Sequence, residues 1–501
     1  MKKKILLWFG SDFTHFCFSY YLQKIFDAEY YAIIDITNKP KSFFENQKLI
    51  KFEKIWFFHD HVSKKYEKPD LEYLYNIEKK FNVNIWKLVL NERLFFDFYD
   101  FHKFTYDEVL SIDEQACRLF EKIIDEIKPD FFITKQPALH HLELFYQMCR
   151  SKGIRVLMLN NSNFGSRSII VEDISKFDKN PNLNDFEPVN KTFEEHRHFQ
   201  KELKKNIDTN LITESRSFSY IKSALKFLSE KNINQDTNYN YFGRTKFKVL
   251  KSELEYNIKL KIRNNFINKK LSKNPKLNEK FIFFPMSLDM ERSTLIDAPY
   301  HTNQIEVIRS IAKSIPVNQK LYVKEHPSQF LRGWRSKSNY NDIISIANVT
   351  LIHPDFPSEK LYQNCSLVIT IGGTAGYEAA LYEKPSIILN DLRYSILPSV
   401  HRLRSFEELP SVINDSIDKK VNIDDINRYV KLLESSTIEF NWLGFQQKFQ
   451  KEFYFNDTLR DVEISEEKVK KFIESNKNTL EQLAQEHIKK INELESNRNY
   501  Q

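Results

Sequence analysis

Residues Ser366–Leu389 read SLVITIGGTAGYEAALYEKPSIIL. A fully apolar run stops at Gly372-Gly373-Thr374, a helical stretch of small residues starts at once, and a second apolar run follows Pro385. Strand, tight turn, helix and strand form the repeat of a parallel sheet, whose neighbouring strands need a crossover. Continuous rather than alternating apolar residues place that sheet inside, with helices on both faces. The glycines permit the turn and let a ligand approach the backbone. Free N–H groups at the start of a helix, with its dipole behind them, favour a phosphate, which makes Gly373, Thr374 and Ala375 candidate phosphate-binding residues. Thr374 can cap the helix or hydrogen-bond that phosphate. Glu378 lies one turn on, on the same face, where a carboxylate can accept from ribose hydroxyls.

Working outward, the same series begins at Phe281 with the strand FIFFP and a long polar loop, MSLDMERSTLIDAPYH. A helix with Ile305, Ile308, Ile311 and Ile315 follows, then the strands KLYVKEHP and VTLIHP and a short helix at Ser358–Asn364. In KEHP an apolar strand empties into Lys324, Glu325 and His326 before Pro327 ends it. Strands of one parallel sheet open their carboxyl ends onto one edge, so Lys324 and His326 are expected beside the Gly-Gly-Thr turn. A cation and an imidazole there suit a leaving phosphate: Lys324 to neutralise it, His326 to donate a hydrogen bond or proton as the sugar–phosphate bond breaks. The loop after the first strand adds Asp289, Glu291, Arg292 and Ser293 at that edge. Arg292 is a candidate for a phosphate or sugar carboxylate and Glu291 for a sugar contact or a base.

The N-terminal half shows the same alternation. KKILLWFGS, AEYYAIIDI, KIWFFHDH, NVNIWKLVL, the strand of IIDEIKPDFFITKQ and IRVLMLN read as strands, with a helix over Leu139–Lys152. The loops GSDFTHF and TKQPALHH offer Asp12, His15 and His140 as base candidates on the acceptor side. The expected fold is α/β, with a Rossmann-like domain over 1–173, a helical insertion and basic linker over 174–280, a second Rossmann-like domain over 281–404 and a helical region over 405–501. That last region either packs back on the core or pairs with a partner.

Bulk properties bound the function. At 501 residues, 41% hydrophobic and 14% aromatic, the chain has several packed cores rather than extended disorder. A net charge of +7 with interleaved acids does not indicate nucleic-acid binding. The basic stretch Lys246–Lys280 reads as a solvated helix face with a linker, or as a contact with an anionic membrane. The four scattered cysteines indicate neither a disulfide framework nor a zinc site, and His59–His61 lacks a third ligand, so no metal is expected. The start has too short an apolar run for a signal peptide, and no run suffices for a span, so a cytoplasmic location is expected, with peripheral contact at the inner membrane face.

The order MERST, then Asn303-Gln304, then LYVKEHPSQ, then VITIGGTAGYEAALYEKPSIIL resembles bacterial capsule and surface-polysaccharide biosynthesis proteins, GT-B-type glycosyltransferases related to the Kdo transferases of capsule export. The resemblance covers about Phe281–Val400, and Glu291, Lys324, His326, Thr374 and Glu378 occupy the family's motif positions. SLDMERST departs from the glutamine–proline–glutamate pattern of relatives, which leaves the donor sugar open. The resemblance implies two Rossmann-like domains facing a cleft, a nucleotide-sugar donor held mainly by the C-terminal one, and a glycan or glycolipid acceptor. The nucleotide-sugar is a co-substrate, and no further cofactor is expected. Glycerophosphate-polymer transferases and nucleotide-sugar 2-epimerases share this fold and are the alternatives, together with a non-catalytic scaffold, against which the joint presence of Lys324, His326 and Glu378 argues.

Overall fold

In the computed structural model, residues 2–63, 68–96, 101–179, 181–212, 225–229, 238–454 and 459–498 are described. Parts of the expected helical insertion (213–224 and 230–237) lie outside them. The chain divides into two compact units, one made of Met1–Ile174, Thr209–Val249 and Thr437–Gln501, the other of Ser175–Asp208 and Leu250–Ser436.

The first unit is built on β1 (Lys3–Phe9), β2 (Ala28–Ile34), β3 (Lys54–Phe57), β4 (Phe131–Lys135), β5 (Arg155–Asn161) and β6 (Ser168–Val171). Their order in the sheet is β3-β2-β1-β4-β5-β6, parallel except for β6, which runs antiparallel on β5. β1 is central, with Leu6 in register with Tyr31 on one side and Phe132 on the other. Its residues Ile5–Phe9 are all buried, as the continuous apolar run requires.

NVNIWKLVL is a correction. Residues Ile85–Val89 form a helix, not a strand. The Asn84 side chain accepts from the Lys87 N–H and caps it, while Ile85, Leu88 and Val89 bury at helical spacing. KIWFFHDH is a strand only as far as Phe57, after which Phe58–His61 is a 3-10 turn.

The tail returns to this unit. Helices Trp442–Phe453 and Lys477–Arg498 pack on its first helix, Thr14–Ile25, and Glu466–Ser475 packs on Lys477–Arg498. Phe449 stacks on Phe13 with ring centroids 4.7 Å apart, and His487 stacks on Phe18 at 4.3 Å. The apolar periodicity of the tail is therefore used within the chain.

The second unit carries β7 (Phe281–Pro285), β8 (Lys320–Lys324), β9 (Val349–Ile352), β10 (Leu367–Thr370), β11 (Ser386–Ile388) and β12 (Val400–Arg402), ordered β12-β11-β10-β7-β8-β9. All its strand pairs are parallel. Numbered within its own sheet, each unit has the order 3-2-1-4-5-6 of a doubly wound dinucleotide-type fold. The two Rossmann-type units of a GT-B-like chain are thus both present. In each, the strand order reverses beside the first strand: between β1 and β4, and between β7 and β10. Ligands of open α/β sheets bind at the carboxyl ends of such a pair.

Candidate functional site

In the second unit the loops after β7, β8 and β10 meet at the reversal point. A Cβ on Gly372 would lie 3.8 Å from the Ser293 Cβ, so the Gly-Gly-Thr turn abuts the MERST loop. Gly373 has φ +78° and open space where a Cβ would stand, which suits glycine and leaves the backbone approachable. Ala375 opens a helix of seven residues, Ala375–Leu381.

Thr374 does not cap that helix with its side chain. Its hydroxyl instead donates to Glu378 Oε1 at 2.6 Å, and the Tyr362 hydroxyl also bonds to Glu378. The expected shared face is therefore a direct hydrogen bond.

Lys324 is 5% exposed at the end of β8 and donates from Nζ to the Ser358 hydroxyl at 2.9 Å. His326 begins the turn Pro327–Arg332, its Nδ1 accepting from the Ser328 N–H at 3.1 Å. A neutral ring bound this way carries its proton on Nε2. Burial lowers the pKa of His326 below its usual 6.5, and Lys324 and Arg335 lower it further against an opposing Glu378. Near neutral pH the ring is therefore an uncharged donor through Nε2–H. The same electrostatics show that Lys324, His326 and Glu378 are near neighbours.

The loop after β7 is less available than its sequence suggests. Arg292 pairs with Asp297 at 3.0 Å, and its side chain is 11% exposed. Glu291 precedes the short helix Arg292–Leu295 with its residue exposed. Asp289 is drawn into a buried network centred on Arg335. Arg335 Nε donates to Glu325 Oε2 at 2.8 Å, Nη1 pairs with Asp289, and Nη2 donates to the Ser287 carbonyl at 2.8 Å. Tyr340 donates to Glu325 at 2.8 Å, Gln304 donates to Asp289 at 2.8 Å, and Gln329 accepts from the Asp289 N–H at 3.1 Å. Burial works against the Arg335 charge, but Glu325 and Asp289 outweigh it and raise its pKa. Glu325, fully buried, faces this clamp, so in KEHP the middle residue positions the loops and its two neighbours line the edge. Gln304 and Gln329 lie within the quoted motifs without a role assigned to them, and Arg335 and Tyr340 lie in no motif; contact shows what the four do.

In the first unit, Asp12 and His15 follow β1 as expected but are both buried. Asp12 accepts from Lys135 Nζ at 2.9 Å and from the Thr14 N–H at 3.0 Å. Burial opposes its charge, yet Lys135 and His15 hold its pKa down at about 2, which makes it a weak base. Burial lowers His15 to about 4. His140 sits between Glu92 at 3.0 Å and Asp113 at 3.6 Å, where it is 2% exposed. His59, from the HDH stretch, contacts Asp35 at 3.0 Å, and no metal-holding group of His, Cys, Asp or Glu occurs among the described residues. No helix among them is long and apolar enough to cross a membrane.

Residues 204–397 match the family model described as "Capsule polysaccharide biosynthesis protein". No curated protein matches the chain. Among solved structures, the UDP-GlcNAc 2-epimerase of Methanocaldococcus jannaschii is 14% identical over 87% of this chain and 100% of that one, with a TM-score of 0.24. The beta Kdo 2,7 transferase KpsC of Thermosulfurimonas dismutans is 10% identical over 72% and 87%, with a TM-score of 0.27. The N-terminal domain of Candida albicans trehalose-6-phosphate phosphatase is 12% identical over 90% and 96%, at 0.28. The family match takes in β7, β8 and β10 with the loops that follow them, and it is over residues 204–397 that the chain is similar to the capsule polysaccharide biosynthesis family.

Proposed function

We propose that the protein is a glycosyltransferase that moves a sugar from a nucleotide-sugar donor to a growing or lipid-linked surface polysaccharide. The observation that carries this is the convergence, at the β7/β10 reversal point, of a buried lysine, an imidazole with Nε2–H free to donate, and a glycine turn with an approachable backbone. In this reading Lys324 and the backbone N–H groups at Gly373, Thr374 and Ala375 neutralise the donor's phosphates. His326 donates from Nε2 to the phosphate oxygen as the bond to the sugar breaks. Glu378, oriented by Thr374, accepts from the ribose hydroxyls. Arg292 and Glu291 flank the sugar, Arg292 with Asp297 as its standing partner. Asp12 and His15 lie in the first unit as acceptor-side groups, and their low pKa values favour positioning over proton abstraction. The nucleotide-sugar is a co-substrate, and the reading assigns no resident cofactor or metal.

A thermal-shift panel of CMP, CDP, UDP and GDP on wild type and His326→Ala tests this. One nucleotide is expected to stabilise the wild type, by about 2.7 kcal/mol at a hundred times its Kd, and to lose most of that effect in the variant. No shift with any nucleotide at millimolar concentration would sink the donor-site assignment.

We also propose peripheral contact with an anionic membrane surface from the cytoplasmic side, through helix Lys246–Lys270. It has eight basic and two acidic residues. Leu250, Leu254, Ile258 and Ile262, four residues apart, are 37%, 64%, 52% and 48% exposed, while Tyr256, Arg263 and Ile267 on the other side engage the second unit. An apolar stripe flanked by lysines suits a headgroup layer. Co-sedimentation with phosphatidylglycerol vesicles but not phosphatidylcholine ones, lost in Leu254→Ser/Ile258→Ser, is expected; equal binding to both would refute it.

A further inference from the structure

Helix Lys246–Lys270 meets the turn that carries His326 with one face and leaves the other exposed. His326 opens the turn Pro327–Arg332, and two backbone hydrogen bonds tie it onward to Trp334. The His326 carbonyl accepts from the Gln329 N–H at 3.0 Å, and the Gln329 carbonyl accepts from the Trp334 N–H at 3.1 Å. The helix grips this segment by its carbonyls. Tyr256 Oη donates between those of Phe330 and Leu331, 3.3 Å from each. Arg263 Nη1 donates to those of Gly333 and Trp334, at 2.9 and 2.8 Å. The fit is close, since a Cβ on Gly333, at φ +78°, would stand 2.8 Å from the Tyr256 ring. The residue after Trp334 is Arg335, the centre of the buried clamp on Asp289 and Glu325. From Leu250 onward the helix belongs to the same compact unit as this segment.

This brace is rich in polar contacts and poor in burial. Among the described residues of the helix, Ile267 alone is buried. Helices in proteins draw most of their stability from packing an apolar face, and segments with few buried contacts open at low cost. Tyr256 and Arg263 are seven residues apart, close to two helical turns, so they reach the carbonyls together only while the helix is wound. The opposite face makes the same demand. Leu254, Ile258 and Ile262 form an exposed stripe there only at helical spacing. Lys251 and Lys261, three residues before Leu254 and three after Ile258, share that stripe. A lipid surface that buries the stripe therefore favours the same wound helix that holds the turn.

We propose that Tyr256 and Arg263 are positioning residues for His326, and that through them contact of the outer helix face with an anionic lipid surface tightens nucleotide binding at the β7/β10 reversal point. Lipid holds the helix wound, the helix fixes the turn, and the turn presents Nε2–H of His326 to the phosphate. Such coupling is reciprocal, so the nucleotide strengthens lipid binding by the same factor. Charge alone predicts the opposite sign, because an anionic surface repels an anionic nucleotide. Tightening therefore has to travel through the protein. This link rests on the two readings above, the nucleotide site and the lipid contact.

The test is calorimetry on the full chain, titrating whichever of CMP, CDP, UDP and GDP stabilises it. Three conditions are compared: no vesicles, phosphatidylglycerol vesicles and phosphatidylcholine vesicles. The wild-type Kd is expected to fall about tenfold with phosphatidylglycerol and to be unchanged by phosphatidylcholine. In Tyr256→Phe/Arg263→Met the outer face is intact, so co-sedimentation with phosphatidylglycerol is expected to persist. The ratio of Kd values without and with that lipid is expected to drop to about twofold or less. A merely structural loss shifts both Kd values alike; a ratio still near about tenfold in the variant would overturn the positioning role. Tyr256→Phe alone removes one hydroxyl and keeps the ring on Gly333, and it is expected to lower the ratio at least about twofold. If wild type binds both ligands but phosphatidylglycerol leaves its Kd unchanged, the link is overturned and both readings stand. No binding of any nucleotide at millimolar concentration, or no preference for phosphatidylglycerol, would sink the corresponding reading and the link with it.

Discussion

Replacing Arg335 with methionine tests what holds the candidate site together. The guanidinium bonds Glu325, Asp289 and the Ser287 carbonyl, and Glu325 is fully buried. Arg335→Met leaves Glu325 with the Tyr340 hydroxyl and the His326 N–H as its remaining donors. Removing one partner of a buried pair costs ~3–5 kcal/mol because a charge is left bare. For a unit of this size that corresponds to about 6–20 °C in Tm. Adding Glu325→Gln takes the bare charge away and is expected to recover ~2 kcal/mol, a non-additivity that marks direct coupling. Two units need not unfold together, so the readout is hydrogen exchange of peptides within 281–345 during urea unfolding. Exchange is expected to rise in the loops after β7 and β8 at lower urea in the single variant than in the double. A single variant within 1 kcal/mol of wild type, or a double variant costing about the sum of both singles, would show that the clamp is not a coupled unit.

Gly376→Ala attacks the same site from its helix. A Cβ there would meet Tyr394 Cε2 at 2.8 Å and Oη at 2.9 Å, while that hydroxyl donates to the Gly373 carbonyl at 3.0 Å. Overpacking of this kind is expected to cost ~1–3 kcal/mol and to weaken the nucleotide thermal shift; an unchanged Tm and shift would refute the tight fit. Buried imidazoles contribute to the pH dependence of the first unit. Burial lowers His15 to about 4 and His487 to about 3, so the unfolded chain takes up their protons first, near 6.5. Stability is therefore lost as pH falls from about 6.5 through the folded-state values, on the order of 3–5 kcal/mol for each ring when fully developed. His140, which Asp113 and Glu92 hold above its usual value against the effect of burial, has the opposite slope. Urea midpoints of wild type against His487→Phe between pH 7 and 4.5 isolate one ring: the variant is expected to show the shallower slope, and equal slopes would refute its neutral burial.

The parts of this protein that were legible in its sequence are those where one local signal answers one local demand. FIFFP, KLYVK and SLVIT are short, apolar and bounded by Gly or Pro, and each is a buried strand. Since strand ends of one sheet share an edge, Lys324, His326 and the Gly372–Thr374 turn could be gathered without coordinates. NVNIWKLVL failed because a short apolar run fits a strand or a helix equally, and the two asparagines that decide it act through cap geometry: Asn82 in a left-handed conformation ends one helix and Asn84 opens the next. β6 and β12 were missed because edge strands of three or four residues carry too little pattern to separate from loop. The sites themselves show the deeper limit. Arg335 in RGWRS looks like a surface residue, and Asp35 after AEYYAII looks like a strand terminus. Each acts through partners distant in sequence: Arg335 through Asp289, and Asp35 through His141. Sequence names the residues at a strand's carboxyl end; the residues that orient them are chosen by packing, and only the fold brings that choice into view.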